Sequence, residues 1–546
     1  MCGIYAHVSR TGLGQISADL ERRLRNRGPD HLGTVQVTLE QHRGPLFITL
    51  TSTVLSLRGD HVTKQPLVDG ASGSVLCWNG EAWRIRGDAV QGNDGEAVLS
   101  LLVESSASNS GETGVLDALR MIEGPFAFVF FDKPTKRLYY GRDRLGRRSL
   151  LIRGGESLSF SSVADSDASW AEVEADGCYE LYLGEESKAL NEAVTRHDWI
   201  NDERLVSSLG VFNMETDRGT SGGEPLHRDS PSVQQLLQYL DMSLRPRVLD
   251  VPLPPHASPS DARIAILFSG GLDCTVLARL SSMIIPADQF IDLINVAFEN
   301  PRIASQHKGS PDVNLYELCP DRVTGRKAFE ELTVACPDRL WRFVTVDVPY
   351  SVTCEHRNEV VRLLHPHNTE MDLSIATALY FAARGQGVGQ TSPESQAVPY
   401  ATTSRVLISG LGADELFGGY GRHAVAFSQQ GYPGLVDALK LDVSRLGKRN
   451  LGRDDRVMAH WGREVRFPYL DEHLVKWAME LPAWEKCDYD RPDATEVEPG
   501  KRVLRLLAGQ LGLKSVSREK KRAIQFGART AKMESGKVKG TTLISA

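Results

Sequence analysis

The sequence has no uninterrupted apolar run near the ~18 residues that a membrane-spanning helix requires. Its first residues carry neither the basic nor the apolar region of a secretory signal, so a cytoplasmic protein with no membrane partner is expected. Excess positive charge is also missing: 63 Lys and Arg stand against 70 Asp and Glu, for a formal net charge of −7. That balance gives no electrostatic reason to expect nucleic acid as a partner. The basic run "REKKR" (518–522) is short and reads as a solvated face. The eight cysteines, at 2, 77, 178, 274, 319, 336, 354 and 487, show neither zinc-ligand spacing nor a compact disulfide framework. Internal repeats are lacking as well. Among the cysteines, only Cys2 stands at a position that asks for an explanation.

What is present is a chain of 546 residues, longer than one hydrophobic core sustains, so at least two domains are expected. Up to about residue 180, short β-type runs ("PLFITL", "GSVLCWNG", "PFAFVFFD", "RLYYGRD") alternate with turns and predict antiparallel strands, with a helix at "GEAVLSLLVES". After about residue 260 the order becomes strand, helix, strand ("RIAILF", "LARLSSM", "FIDLINVAF", "RFVTVDV", "SIATALYFAAR", "RVLIS"), which predicts a parallel sheet covered by helices. Between them, residues 213–231 are polar and glycine-rich and predict a mobile loop. A helix striped by Val233, Leu236, Leu237, Leu240 and Leu244 follows and is expected to end at "RPRVLDVPLPP", where prolines forbid regular helix. The resulting division is 2–185, a connecting segment 186–260, 261–535, and a tail 536–546.

The chain opens "MCGIYA". Removal of the initiator Met would leave Cys2 with a free α-amine beside its thiol. Nucleophile and base would then sit on one residue, since an α-amine of pKa ~8 can exchange a proton with a thiol near neutral pH. "NRGPD" (26–30), "WNGE" (78–81), "NDGEAVL" (93–99) and "GRDRLGRRSL" (141–150) follow in that order. Together with Cys2 they resemble the class II glutamine amidotransferase domain, an N-terminal-nucleophile hydrolase fold of αββα layers, over residues 2 to about 180. The resemblance implies that Cys2 attacks the amide of glutamine while Asn79 and the Gly80 N–H form an oxyanion hole. It also implies that Glu81 and Asp94 hold the substrate's ammonium. Members of that family usually carry an arginine before "LSI" to clamp the glutamine carboxylate. Here "STVLSLRGD" places Val54 at that position and Arg58 four residues on. On a continued strand Arg58 would share the face but lie about 13 Å along it, a substitute clamp or a surface arginine.

"RIAILFSGGLDCTVLARL" (263–280) reads as a buried strand, a glycine turn and a helix, a geometry that points backbone N–H groups at an anion. It lacks the Walker lysine. "SGGLDC" resembles the pyrophosphate loop of N-type ATP pyrophosphatases, α/β domains with a parallel sheet, in which Cys274 stands for the usual Ser. The resemblance implies that Leu267, Ser269, Gly270, Gly271, Asp273, Cys274 and Val296 bind ATP, with Asp273 also a Mg²⁺ ligand. Further on, "SGLGADELFGGY" (409–420) is similar to the SGEGxDE loop of asparagine synthetases. By that match Ser409, Gly410 and Gly412 belong to the nucleotide site, Asp414 binds Mg²⁺, and Lys501 in "GKRVLR" stabilises adenylation. Leu411 replaces the loop's first acid, which is proposed in that family to assist ammonia attack. Leucine cannot move a proton, and one positioned acid or base accounts for ~10²- to 10⁴-fold in rate. Glu464, Arg466 and Asp471 are read as buried structural pairs.

The pairing of the two motif sets resembles glutamine-dependent asparagine synthetase over nearly the whole chain. "LSLRG", "GRDRLGRRSL", "LINVAFEN", "DRVTGRKAF", "RNLGRDDRV", "REVRFPYLDEH" and "KRAIQFGAR" bring it nearer to the branch called asparagine synthetase domain-containing protein 1. The resemblance implies ATP and Mg²⁺ as cofactors, with glutamine and a carboxylate acceptor, aspartate by default, as small-molecule partners. It also leaves room for a homodimer. Two other readings stay open: a divergent amidoligase or glutaminase with another acceptor, favoured by Leu411 and Val54, and a binding or scaffold protein.

Overall fold

A computed structural model of the chain describes residues 2–42, 44–108, 113–165, 169–184, 190–199, 205–206, 209–218, 225–255, 257–307, 313–490, 497–533, 537 and 539–544. Part of the loop expected at 213–231, part of the expected tail, and Met1 itself lie outside them. The chain divides into two compact units. One comprises Met1–Glu203, Val361–His367 and Leu446–Glu464; the other comprises Arg204–Val360, Asn368–Arg445 and Val465–Ala546. Two stretches from late in the sequence thus belong to the first unit.

In the first unit, two antiparallel sheets stack face to face. One is ordered Ala171–Glu172, Leu151–Arg153, Leu158–Ser161, Gly3–Ser9, Leu46–Val54, His31–Leu39. The other runs Val194–Asp198, Gly177–Tyr182, Arg137–Arg142, Phe126–Asp132, Val75–Gly80, Leu67–Val68. Strand Phe126–Asp132 shows why. Alternate residues face opposite ways, so Ala127, Val129 and Phe131 pack between the sheets with Ile4, Ile48 and Leu50. Phe126, Phe128 and Phe130 point the other way, onto Val98, Leu101 and Leu102 of helix Asp94–Ala107 and Leu119 of helix Thr113–Arg120. Every residue of this strand is buried, and each large apolar side chain so placed contributes about 1.5–3 kcal/mol. Helix Ala18–Arg27 covers the first sheet through Leu20 and Leu24, and the missing Cβ of Gly3 makes room for Leu24. The layers are therefore helix, sheet, sheet, helix.

In the second unit six strands of a seven-stranded mixed sheet run in the order Val398–Ala401, Gln386–Gln390, Trp341–Val348, Ile291–Phe298, Ile264–Leu267, Val406–Ile408. The last four strands are parallel, and the two at the far edge form an antiparallel hairpin. Ile291–Phe298 is buried throughout, as expected of a strand with helices on both faces. Its single charge, Asp292, is met by Tyr400 Oη at 2.9 Å and Arg342 Nη1 at 3.3 Å.

Helix Pro231–Val248 departs from expectation at its end. It continues through Pro246 to Val248, with Val233, Leu236, Leu240 and Leu244 buried and Leu237 only partly so. Pro246 lies in the last turn, where its missing N–H costs a single bond, and the Leu249 N–H still closes onto the Arg245 carbonyl. Among the described residues no helix is long and apolar enough to cross a membrane.

Candidate active sites

Cys2 lies at the entry to strand Gly3–Ser9 and is buried. Its backbone N–H donates to Asn79 Oδ1 at 3.0 Å. Asn79 and Gly80 end the neighbouring sheet's strand Val75–Gly80, opposite Ala127 and Phe126. The bond to Cys2 orients the Asn79 amide, because the oxygen must face the Cys2 nitrogen and the Nδ2 donor is then turned away. Nδ2 is buried and has no hydrogen-bond partner among the described residues. Gly80 admits no side chain: a Cβ there would stand 2.4 Å from the Pro125 carbonyl oxygen.

Asp94 opens helix Asp94–Ala107. Its Oδ2 accepts from Trp78 Nε1 and from the Ala82 N–H, each at 2.9 Å. Burial lifts its carboxyl above the ordinary range, while the Arg58 charge opposes the lift. Arg58 corrects the expectation of a shared strand face. Strand Leu46–Val54 ends at Val54, and in the turn beyond it Arg58 donates to the Ala82 carbonyl and to the Val90 carbonyl, each at 2.9 Å. There its Nη1 lies 3.7 Å from Glu81 Oε2. One cleft is lined by Cys2, Val54, Arg58, Gly80, Glu81 and Asp94, together with Gln65 and Glu464. It holds about 30 Å³, room for a water-sized group.

Sequence reasoning passed over Gln65. Its Oε1 accepts the Trp78 N–H at 2.9 Å and its Nε2 reaches Cys2 Sγ at 3.7 Å. No local motif marks it. Burial raises the Cys2 thiol above its ordinary value.

In the second unit, strand Ile264–Leu267 leads through Phe268 and Ser269 into helix Leu272–Ile284, whose N-cap is Gly271. Gly270 has φ +77°, and a Cβ on it would meet the Thr324 carbonyl and the Gly325 nitrogen at 2.4 Å. The turn therefore demands glycine. Cys274 is buried in the helix's first turn, its thiol donating to the Gly271 carbonyl, and Val296 lies buried on the adjacent strand.

The Lys501 ammonium sits between two carboxylates, 2.8 and 2.9 Å from the Asp273 oxygens and 2.9 Å from Asp414 Oδ1. Lys501 is itself a helix N-cap with φ +55°, and its backbone N–H is held by the Phe417 carbonyl. Asp414 stands in helix Ala413–Phe417, entered from Gly412 at φ +105° and left at Gly418 at φ +71°. Gly410 packs against Asp273, and the Ser409 hydroxyl accepts the Leu411 N–H at 3.3 Å. Leu411 is partly exposed. Against the opposing effect of burial, Lys501 and Lys521 hold the Asp414 carboxyl well below its ordinary range, and Asp273 and Asp414 push Lys501 up.

The basic run at 518–522 is not simply a solvated face. Lys521 donates to Asp414 Oδ2, and Arg522 Nη1 lies 3.8 Å from Asp321 Oδ1. Asp321 is buried, and burial raises its carboxyl to about 7. Among the described residues no cluster of three or more metal-ligating side chains occurs. Two converging carboxylates nevertheless fit Mg²⁺, which is commonly held by one or two acids with phosphate and water completing the shell.

A glutamine amidotransferase domain model matches residues 1–197, and an asparagine synthase model matches residues 428–541. The asparagine synthetase domain-containing protein 1 of Bos taurus is 31% identical, with 99% of this chain and 97% of that protein covered. The chain belongs to the asparagine synthetase domain-containing protein 1 family. Another relative of this family's domain type, asparagine synthetase domain-containing protein YML096W of Saccharomyces cerevisiae, is 34% identical over 91% of this chain and 86% of its own. A putative glutamine-hydrolysing asparagine synthetase of Methanocaldococcus jannaschii is 25% identical over 67% of this chain and 57% of its own. The asparagine synthetase domain-containing protein 1 family is thus asparagine synthetase-like and carries a glutamine amidotransferase domain.

Proposed function

We propose that the chain is an ATP-dependent amidoligase that draws its nitrogen from glutamine at Cys2. The observation that carries this reading is the buried, unpartnered Nδ2 of Asn79, oriented by the Cys2 nitrogen itself. A buried donor without a partner costs about 1–3 kcal/mol. An oxyanion formed at Cys2 would relieve that cost at the moment of reaction.

The chemistry follows from the placement. Cys2 loses its thiol proton to the α-amine freed by Met removal, and the thiolate adds to the glutamine amide carbon. Asn79 Nδ2 and the Gly80 N–H receive the oxyanion, a stabilisation of ~3 kcal/mol for one such donor. Ammonia leaves with the proton, a thioester remains, and water hydrolyses it to glutamate. Glu81 and Asp94 hold the substrate ammonium, and Arg58 takes the carboxylate in place of an arginine at Val54.

In the second unit the Ser269–Asp273 turn binds the β and γ phosphates of ATP. An acceptor carboxylate attacks the α-phosphorus and pyrophosphate leaves. Ammonia then adds to the acyl-adenylate, and AMP leaves. Mg²⁺, when bound, would be held by Asp273 and Asp414 and would offset phosphate charge, while Lys501 supplies a fixed positive charge beside it. Aspartate, giving asparagine, is the default acceptor. Leu411 supports a second reading with another acceptor, because it cannot take the ammonium proton. The test follows glutamate, asparagine, AMP and pyrophosphate together with Cys2→Ala as control. Asparagine and AMP that vanish with glutamine in the variant and return with ammonia support the reading. Absence of glutamate, AMP and pyrophosphate from every incubation overturns it.

A further inference from the structure

Cys2 is held at both ends of its residue. Its nitrogen is bonded to Asn79, and its carbonyl accepts from Arg27 Nε at 3.3 Å. Arg27 closes helix Ala18–Arg27, and its Nη2 donates at 2.8 Å to Asp455 Oδ2, a residue 428 positions along the chain in the Leu446–Glu464 stretch of the same unit. The same oxygen accepts the Ser149 N–H at 3.2 Å. Arg148 lies 3.7 Å from the other Asp455 oxygen and 3.2 Å from Glu464, which lines the Cys2 cleft. Arg27 and Asp455 are at most 1% exposed, so solvent screens neither.

We infer that Asp455 is a positioning residue for the Cys2 nucleophile, acting through Arg27. The inference rests on the glutaminase reading of Cys2. A guanidinium is a rigid planar fork, so fixing one nitrogen on Asp455 sets the direction of Nε. Gly3 and Ile4 have their own anchors, the Thr53 and Ser162 hydroxyls. Among the described residues the Cys2 backbone has only Asn79 at its nitrogen and Arg27 at its carbonyl. Once Met1 is removed Cys2 becomes the chain end, one covalent restraint is gone, and the carbonyl anchor carries more of the placement. The glutamine site is therefore completed by residues 446–464, although every glutaminase motif lies within the first 200 residues.

The experiment uses the full-length protein. Asp455→Asn keeps the shape and removes the charge; Arg27→Lys keeps a cation for Asp455 and removes the Nε bond. Glutamine hydrolysis is measured as kcat and KM. Cys2 alkylation is followed by intact mass with a diazoketone analogue of glutamine, and with iodoacetamide as a reagent indifferent to the site. A loss of ~10²-fold in kcat, the scale on which a displacement of about 1 Å disturbs catalysis, is expected in either variant. KM and iodoacetamide reactivity stay as in the parent, diazoketone alkylation slows with kcat, and Asp455→Glu recovers part of the rate. Parent-like kcat in a folded variant overturns the inference and leaves the glutaminase reading intact. So does a loss in which iodoacetamide reactivity and melting change in step, since that marks general loosening. A parent protein that neither hydrolyses glutamine nor is alkylated at Cys2 overturns the reading, and the inference with it. If Asp455→Asn does not fold, Arg27→Lys decides alone.

Discussion

The Lys501 ammonium bonds both oxygens of the Asp273 carboxylate, at 2.8 and 2.9 Å, across 228 residues of sequence. The same nitrogen reaches Asp414, whose other oxygen is held by Lys521, so one buried cation bridges two acids that would otherwise repel. Removing it as Lys501→Met leaves both carboxylates facing each other. Breaking such a pair costs about 3–5 kcal/mol when fully buried; the Asp273 side chain is 19% exposed, which places the expectation at the lower end. AMP formation should be lost. Mg²⁺ should raise the melting temperature of the variant more than that of the parent, because the same two carboxylates then hold the ion with no ammonium competing for their oxygens. Calorimetry with and without Mg²⁺ checks this, and an equal response of parent and variant to Mg²⁺ would count against it.

At the first unit's cleft, the proposed oxyanion role of Asn79 requires that Asn79→Ala lower kcat for glutamine by ~10²- to 10³-fold with little change in KM, the signature of a donor that meets charge only in the transition state. A KM effect alone would mean that Asn79 binds the ground state.

Arg58→Met should do the opposite, raising KM for glutamine with kcat nearly kept, the signature of a lost uniform binding contact. Arg58 also bonds the Ala82 and Val90 carbonyls, so melting is recorded alongside. Unaltered KM in a stable variant would return Arg58 to a structural role and reopen how the carboxylate is held.

How far these residues were legible depends on sequence distance. Cys2, Asn79, Gly80, Glu81 and Asp94 could be read because each sits in a short motif whose turn or cap chemistry is local. Strand Leu46–Val54 was legible as a strand, but its end was not, so Arg58 was placed along a face that stops at Val54. Pro246 misled in the same manner: a proline in a last turn forfeits little, and burial of Leu240, Leu244 and Val248 decides. Lys521 was read as solvated because its partner Asp414 lies 107 residues away, and Asp455 is farther still from Arg27. Such pairs are made by the tertiary fold and leave no periodic trace.

Asp321 gives a pH test. Its unfolded pKa is near ~3.9, and burial raises the folded value to about 7 against the opposing charges of Arg522 and Lys521. Between those values the folded chain keeps a proton that the unfolded chain has released. Stability therefore falls as pH rises across that window, by an amount on the order of a few kcal/mol. Asp321→Asn holds a neutral group at every pH and should flatten the fall. Denaturant titrations at about pH 4.5 and about pH 7.5 measure it; equal slopes for parent and variant would show that Asp321 does not titrate there.

Leu411 allows the most direct test of the acceptor. It sits between Gly410 and Gly412, partly exposed, with its N–H on the Ser409 hydroxyl, so a longer polar side chain meets no packed core. Glu415, three residues past Gly412, is engaged elsewhere: its Oε1 accepts from Tyr420 Oη at 2.5 Å. With ammonia as nitrogen donor, Leu411→Glu should increase asparagine formation by ~10-fold or more if proton removal from the attacking ammonia limits the parent. The substitution leaves the Ser269–Asp273 turn and the Lys501 contacts in place, so AMP formation should persist. A gain in asparagine identifies aspartate as an acceptor that the site still binds. Steady AMP formation without any asparagine, in parent and variant alike, would instead mean that the adenylated carboxylate is not aspartate, and the search moves to acceptors whose own chemistry removes the proton.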